Sequence, residues 1–180
     1  MGLFLETAIV KCDDLSLLKE KISELAVENP KFELDEGGCR YLARNGKGIQ
    51  VLLSEGSVTY EDFSEKLSKK LDTWVMFLYI YDEDFWGYFL YDKGKEKDRF
   101  NPERDYFGKG DTESCKGNAD IISKYFAVPK ESFEKYLTAW SDEFYEEGDI
   151  FAYDKDEFAY ADPWQMADFM DKLGFPYEWE

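Results

Sequence analysis

The chain has 180 residues, and its 40 acidic against 22 basic side chains give a formal net charge of −18, with no histidine. This charge excludes nucleic-acid binding as a default, because phosphate backbones attract Lys and Arg and repel carboxylates. The lack of histidine excludes Ser-His-Asp and Cys-His catalytic groups, His-ligated zinc and the usual general base near neutral pH.

The first part of the chain alternates between strand and helix patterns. Period-two alternation favours strands, whereas apolar residues three and four positions apart favour helices. Asn29-Pro30 predicts the end of a helix, and Asn45-Gly46 predicts a hairpin turn. The predicted elements are a strand at 3–11, a helix at 15–27 capped by Asp13 or Asp14, strands at 38–44 and 48–54, and a helix at 60–71 that starts with a capping box of Thr59 and Asp62.

The middle of the chain contains its most apolar run, WVMFLYIY at Trp74–Tyr81, which predicts a central strand covered on both faces. Turn signals separate this run from the elements that follow it. Those elements are a strand at 85–91, a short strand ending near Phe100, a polar, glycine-rich loop at 108–118, and helices at 118–127, 130–145 and 163–173.

This order of elements predicts an α+β fold with a mostly antiparallel sheet in the order β-α-β-β-α-β-β-β. Helices are expected on one face of the sheet, followed by a helical, acidic C-terminal part. The expected division is an α+β sheet domain at 1–107 and a C-terminal part at 108–180 that packs on the same core. With 18% aromatic residues the chain is expected to fold, since disordered acidic chains are poor in aromatics.

No motif in the sequence specifies a reaction. Asp82, Asp84 and Gly87 fit three positions of an EF-hand loop, but Trp86 and Lys93 stand where ligands are needed. Glycine-lysine-glycine triplets occur without the spacing of a phosphate-binding loop. We therefore predict no catalytic residue, no metal site and no cofactor, and expect a non-enzymatic protein.

The acidity is concentrated at the C-terminal end, where residues 141–180 hold 13 acids and two bases. Such a surface attracts a basic protein and accelerates their association, while interleaved aromatics supply buried contact area. The predicted steering residues are Asp142, Glu143, Glu146, Glu147, Asp149, Asp154, Asp156 and Glu157. The predicted aromatic anchors are Tyr145, Tyr153 and Tyr160, and a secondary acidic patch is predicted at Asp82, Glu83 and Asp84.

The segment 82–107 resembles a group of uncharacterised bacterial acidic proteins. These proteins combine an acidic hairpin, a W-x-Y-x-L-Y strand, a glycine turn, D-x-F/Y and a P-x-Y-F ending. The matching residues are Asp82, Asp84, Trp86, Tyr88, Leu90, Tyr91, Gly94, Asp98, Phe100, Asp105, Tyr106 and Phe107. The resemblance covers about 30 residues. In size, charge and build the chain is also similar to immunity proteins of bacterial toxin systems, a likeness that implies the neutralisation of a basic toxin such as a nuclease.

Two other functions stay open on the sequence. The first is an acidic structural or assembly subunit whose charge serves solubility, and the second, less favoured, is a hydrolase that depends on carboxylates and a divalent metal. The N-terminus lacks the features of a signal peptide, and no apolar run is as long as a membrane span. We therefore expect a soluble, cytoplasmic protein with no membrane contact, whose oligomeric state the sequence leaves open.

Overall fold

The computed structural model describes residues 2–32, 34, 38–44, 46–53, 60–106 and 114–178. Within these ranges the chain forms six β-strands, five α-helices and three short 3-10 helices. The strands are β1 (Leu5–Val10), β2 (Cys39–Arg44), β3 (Gly48–Leu53), β4 (Trp74–Tyr81), β5 (Phe85–Asp92) and β6 (Lys95–Phe100). The α-helices are α1 (Leu15–Glu28), α2 (Tyr60–Leu71), α3 (Ala119–Phe126), α4 (Asp142–Glu147) and α5 (Gln165–Lys172). The 3-10 helices are Pro30–Phe32, Lys130–Ser132 and Glu134–Tyr136.

The six described strands form one antiparallel sheet in the order β2-β3-β1-β4-β5-β6. The register of β1 on β3 runs from Glu6 opposite Leu53 to Val10 opposite Ile49. The β2–β3 hairpin runs from Cys39 opposite Leu53 to Arg44 opposite Gly48. The predicted α+β class and the strand and helix order up to β6 are therefore confirmed.

Local sequence signals account for the ends of several elements. Asp14 caps α1, because its Oδ1 accepts a hydrogen bond of 2.9 Å from the backbone N–H of Leu17, and the N–H of Asn29 closes the other end on Leu25. Gly48 opens β3 with φ +150°, and a Cβ there would lie 2.4 Å from the carbonyl oxygen of Val10. Glycine is thus required where β3 begins beside β1. Asn45 and Thr59, which the sequence assigns to a turn and a cap, lie outside the described residues.

β4 has six consecutive buried residues, Val75 to Ile80, of which five are fully inaccessible. Successive side chains of a strand point to opposite faces of the sheet, so unbroken burial means that both faces of β4 are covered. The prediction of a central strand covered on both faces is confirmed.

The chain divides into two compact units that are interleaved along the sequence. We call Phe4–Tyr79 together with Tyr88–Lys97 the N-terminal unit, and Met1–Leu3, Ile80–Gly87 and Asp98–Glu180 the C-terminal unit. The sequence-based boundary between 107 and 108 lies outside the described residues, and that division stays a prediction.

The core of the N-terminal unit is aromatic and is reinforced by ion pairs at its surface. Phe63 of α2 packs edge-on against both Phe32 and Phe77, with ring centroids 5.9 Å apart in each pair. Lys70 Nζ of α2 lies 3.1 Å from Glu24 and 2.8 Å from Glu28 of α1. Burial of the rings positions α2 against β4 and the 3-10 helix Pro30–Phe32, whereas the partly exposed ion pairs between α1 and α2 add little to stability.

The core of the C-terminal unit forms around Trp86 and Phe169. The two ring centroids are 5.1 Å apart, and Trp86 also lies 5.0 Å from Phe100. Trp86 Nε1 donates a hydrogen bond of 3.4 Å to Gln165 Oε1, so the buried indole N–H has an acceptor. Phe133 and Tyr136 each pack edge-on against Phe169, with ring centroids 6.0 and 5.9 Å away. These rings hold α5 in place.

The predicted helix at 130–145 is wrong. The segment forms two 3-10 helices, an irregular stretch and then α4. Some of its backbone groups bond partners outside the segment: the N–H of Trp140 donates to Pro102 O at 3.1 Å, and the carbonyl of Lys135 accepts from Tyr160 Oη at 2.8 Å. The apolar spacing of Phe133, Tyr136 and Trp140 resembles a helix, yet tertiary hydrogen bonds replace the helical ones. No helix in the described part of the chain is long and apolar enough to span a membrane.

Candidate interaction surface

Most of the predicted steering residues lie on the outside of α4 and of the loop that follows it, within the C-terminal unit. Asp142 and Glu143 occupy the first turn of α4, where their charge complements the helix dipole. Gly148, with φ +58°, ends the helix. We call the solvent-exposed carboxylates of this region the acidic face: Asp142, Glu143, Glu146, Glu147, Asp149, Asp154 and Glu157.

Asp156 is placed differently from the other predicted steering residues. Its side chain is fully buried, and one carboxylate oxygen accepts a hydrogen bond of 2.7 Å from Tyr136 Oη and lies 3.4 Å from Lys172 Nζ. The other oxygen accepts from the backbone N–H of Tyr153 at 2.9 Å. A carboxylate held by three donors braces its loop, so Asp156 fixes the acidic face from inside instead of meeting a partner.

Tyr153 is also engaged within the C-terminal unit. Its hydroxyl donates to Glu131 O at 3.0 Å and accepts from the N–H of Lys135 at 3.2 Å. Lys135 Nζ and Lys172 Nζ lie 4.9 and 5.6 Å from the centre of its ring. This side chain therefore joins the acidic loop to the 3-10 helices.

Tyr160 makes a second connection of the same kind. Its hydroxyl bonds Lys135 O, and its ring stacks on Phe144 of α4 with centroids 4.4 Å apart. Its backbone N–H donates to Ile150 O at 2.8 Å, which closes the loop that carries Asp154 and Glu157. Burial raises the pKa of both Tyr153 and Tyr160. Both tyrosines hold the loop by their hydroxyls and rings.

Asp168 of α5 anchors the same loop from the other side. Its carboxylate accepts hydrogen bonds from the N–H of Glu157 at 3.0 Å and of Phe158 at 2.9 Å. Burial raises the pKa of this carboxyl, although the two N–H groups act in the opposite direction. Asp168 is not among the residues predicted from the sequence, where its place in the helical pattern indicates only a polar position.

Tyr145 is the predicted anchor that the structure leaves open to a partner. It is 54% exposed, and its hydroxyl donates to Glu103 at 2.5 Å. Burial of part of the ring, the bond to Glu103 and the charges of Asp84 and Asp142 all raise its pKa. Tyr145 therefore stays neutral near pH 7, and the carboxylates that act on it are those of Glu103, Asp84 and Asp142.

The secondary patch at Asp82, Glu83 and Asp84 forms the exposed turn between β4 and β5. Asp82 and Glu83 both have positive φ, 50° and 62°, and the N–H of Asp84 donates to Tyr81 O at 2.9 Å, as in a type I′ turn. Glutamate is strained in this conformation by roughly 1 kcal/mol. The turn holds three carboxylates at the tip of a rigid hairpin.

Tyr106 connects the secondary patch to Glu103, the residue that Tyr145 also bonds, because the N–H of Tyr106 donates to Glu103 O at 3.0 Å. Its hydroxyl donates to Asp84 Oδ2 at 2.9 Å, and this bond raises its pKa. Its ring packs edge-on against Phe85, with centroids 4.9 Å apart, and is 46% exposed. The structure thus brings the two predicted acidic regions together around two exposed tyrosines.

Three contributors to this surface were not selected from the sequence: Glu103, Tyr106 and Phe151. Phe151 is 43% exposed beside Asp149. For Tyr106 and Phe151 the sequence carries the same signal as for the predicted tyrosine anchors, an aromatic residue close to acids, whereas no such signal marks Glu103. Exposure distinguishes Tyr106 and Phe151, and the bond to Tyr145 distinguishes Glu103, but a sequence pattern alone reports neither property.

The polar groups of this surface are mainly carboxylates and tyrosine hydroxyls. Across the residues that the structure describes, no three potential ligands converge on a point where a metal ion could bind. No protein-family model, curated protein or solved structure matches the chain. The likeness of segment 82–107 to bacterial acidic proteins therefore remains a prediction.

Proposed function

We propose that this protein is a non-enzymatic binding module that neutralises a basic protein through the acidic face and the exposed aromatics Tyr106, Tyr145 and Phe151, in the manner of an immunity protein. The observation that supports the proposal most strongly is that exposed aromatic rings lie among carboxylates that come from separate parts of the chain. Charge steers the encounter, and the rings supply contact area that water leaves on binding.

Two further features support the proposal. Asp156, Asp168, Tyr153 and Tyr160 hold the acidic loop by internal bonds, and a surface fixed before binding loses less conformational entropy when it binds. Cys12, Cys39 and Cys115 form no disulfide with one another, which suits a reducing compartment and is consistent with the cytoplasmic location that we propose.

The test reverses three charges of the acidic face and three elsewhere. In the first variant, Glu146→Lys, Glu147→Lys and Asp154→Lys are combined; the two helix positions lie at the end of α4, where positive charge is favourable. The matched control combines Asp13→Lys, Glu20→Lys and Glu65→Lys at exposed positions of the N-terminal unit. Both variants change the net charge equally, and circular dichroism checks that both fold.

Wild type and both variants are immobilised, and proteins of the source cell are applied at low salt and eluted with a salt step. A basic protein is expected on the wild type and the control, and its association rate constant should fall about tenfold or more on the acidic-face variant. Equal association with both variants, an association rate that salt does not change, or an eluate without any basic protein would contradict the proposal.

A further inference from the structure

Arg104 is an arginine without a partner in a protein that has an excess of carboxylates. The chain contains four arginines and 40 acids. Arg104 Nε is shielded from solvent, and the guanidinium forms no hydrogen bond or ion pair in the part of the chain that the structure describes. The residue as a whole is only half-buried. A guanidinium that binds no carboxylate of its own chain is able to bind one from another molecule.

The neighbours of Arg104 belong to the surface that we propose for binding. Arg104 lies in a turn that is closed by a hydrogen bond of 3.0 Å from the N–H of Tyr106 to Glu103 O. Glu103 on one side bonds Tyr145, and Tyr106 on the other side bonds Asp84. The turn therefore places Arg104 between the residues that fix the two exposed tyrosines.

A second donor without an acceptor comes from a residue beside this turn. The backbone N–H of Trp140 donates to Pro102 O at 3.1 Å, and the Trp140 ring lies 6.3 Å from that of Tyr145. Trp140 is 8% exposed, and none of the described residues accepts a hydrogen bond from its Nε1. Buried donors nearly always have acceptors. Two such exceptions, Arg104 Nε and Trp140 Nε1, point to an acceptor that the described chain does not supply.

The charges around Arg104 decide what can bring that acceptor. Glu103 and the exposed Asp105 flank it, and the net charge of the protein is −18, so a free anion is repelled. A basic protein is attracted by the same charges, and its own cations offset the repulsion of a single carboxylate that it carries. Arginine binds a carboxylate through two parallel N–H bonds, a geometry that lysine does not provide.

We infer that Arg104 binds an aspartate or glutamate side chain of the basic partner, where that partner covers Tyr106 and Tyr145. The inference rests on the proposed function and names the group by which the surface distinguishes one basic protein from another. A basic protein without a carboxylate opposite Arg104 would cover an unpaired guanidinium, and the hydration lost there would not be replaced by any bond. Arg104 is thus a specificity-determining residue.

The first test uses two peptides of seven residues with blocked ends. One consists of lysine and glycine with a central aspartate, and the other has asparagine in place of the aspartate. Charge alone favours the asparagine peptide, which is more positive, whereas the inference predicts that the aspartate peptide binds the full-length protein about threefold or more tightly. Binding is followed by NMR on isotope-labelled protein at the Arg104 Nε–H signal, which is assigned by its loss in Arg104→Gln.

Two variants with the same change of charge locate the site. Arg104→Gln removes the unpaired guanidinium, and Lys155→Gln removes an exposed cation from the loop that carries Asp154 and Glu157. Arg104→Gln should reverse the preference, so that the asparagine peptide binds more tightly, whereas Lys155→Gln should keep the preference of the wild type. Arg104→Lys keeps the charge and should lose most of the preference, because it lacks the paired N–H groups. Circular dichroism and thermal unfolding check that each variant folds.

The second test uses the basic protein that the wild type captures. Arg104→Gln should raise its dissociation rate constant about tenfold, although the variant is more acidic than the wild type. Lys155→Gln should change that rate constant less than about twofold, because an exposed charge at a distance acts mainly on association.

Three results would overturn the inference. They are binding of the asparagine peptide to the wild type as tightly as the aspartate peptide, no saturation by either peptide at millimolar concentration, and equal behaviour of Arg104→Gln and Lys155→Gln. The proposed function fails separately. If the aspartate peptide is preferred but no basic protein is captured, the proposed function is wrong and the carboxylate site remains. If a basic protein is captured and the preference is absent, the proposed function remains and the role of Arg104 is wrong.

Discussion

Asp168 shows how one carboxylate can stabilise a loop through its hydrogen bonds and oppose folding through its buried charge. It accepts the N–H groups of Glu157 and Phe158, which would otherwise lack these acceptors, and yet burial raises its pKa because the charged form is desolvated. The oxygen atoms stabilise the loop, and the negative charge on them opposes folding. The two contributions can be separated by substitution, because an amide retains an oxygen and lacks the charge.

We expect Asp168→Ala to lower the free energy of unfolding by about 1–3 kcal/mol, since two N–H groups lose their acceptor. Asp168→Asn should be close to neutral or stabilising at about pH 7. The folded-state pKa is raised, so the wild type carries the penalty of the buried charge above that pKa and loses it as pH falls towards the unfolded value. The advantage of Asn over Asp should therefore shrink between about pH 7 and about pH 4. Urea unfolding of the three proteins at both pH values measures this.

A constant difference between Asn and Asp across that pH range would contradict the assignment of the raised pKa to Asp168. Equal stability of the Ala and Asn variants would show that the acceptor oxygen contributes nothing.

For individual residues, the sequence shows which positions are acidic or aromatic but does not show what each side chain does in the fold. The sequence gives no sign that Asp154, Asp156 and Glu157 differ in role. Of these three, only Asp156 has a buried side chain that bonds Tyr136. Its role depends on a ring twenty residues away, and composition does not report such contacts. Tyr145 and Tyr153 differ for the same reason: one hydroxyl reaches a carboxylate at the surface, and the other reaches two backbone groups.

At the scale of elements, prediction succeeded where the signal is local. The helix at 60–71 and the strand at 74–81 have the predicted bounds, because an amphipathic period and an unbroken apolar run are complete within each segment. The prediction of a helix at 130–145 was wrong because the conformation of this segment depends on bonds to Pro102, Tyr153 and Tyr160, none of which lies in the segment. Spacing of apolar residues reports burial, and burial of this segment does not require a helix.

The 3-10 helices should therefore depend on the two tyrosine hydroxyls. We expect Tyr153→Phe with Tyr160→Phe to lower the free energy of unfolding by about 1–3 kcal/mol and to speed amide hydrogen exchange at 130–137. The rings and their packing remain, so the loss reports the hydroxyl bonds. Tyr145→Phe, which removes an exposed hydroxyl bond, is the control and should change stability by less than about 0.5 kcal/mol. Unchanged exchange at 130–137 in the double variant would contradict this account of the segment.

At the scale of the whole molecule, charge is unevenly distributed along the chain. The C-terminal unit carries the acidic face and the β4–β5 turn, and the N-terminal unit carries the acid-free hairpin 38–53. The net charge of −18 opposes compaction through repulsion among like charges, and added salt screens that repulsion over distances near 10 Å.

The melting temperature should therefore rise by several degrees when NaCl increases from about 10 mM to about 300 mM at neutral pH. The variant with Glu146→Lys, Glu147→Lys and Asp154→Lys should show a smaller rise, because fewer carboxylates remain to be screened. Differential scanning fluorimetry of both proteins across the salt series provides the comparison. A melting temperature that falls with salt would mean that attractive ion pairs, such as Lys70 with Glu24 and Glu28, dominate instead.

The interleaving of the two units bears on how the protein is made. All residues of the N-terminal unit have been synthesised when the ribosome reaches Lys97, but the C-terminal unit needs residues that are made much later. Trp86 is made early, and its partners Gln165 and Phe169 are made about eighty residues later. A nascent or truncated chain that stops before Gln165 lacks these partners for its indole ring. Exposed aromatic surface is what chaperones and proteases recognise, so we expect them to bind such an unfinished chain at this ring.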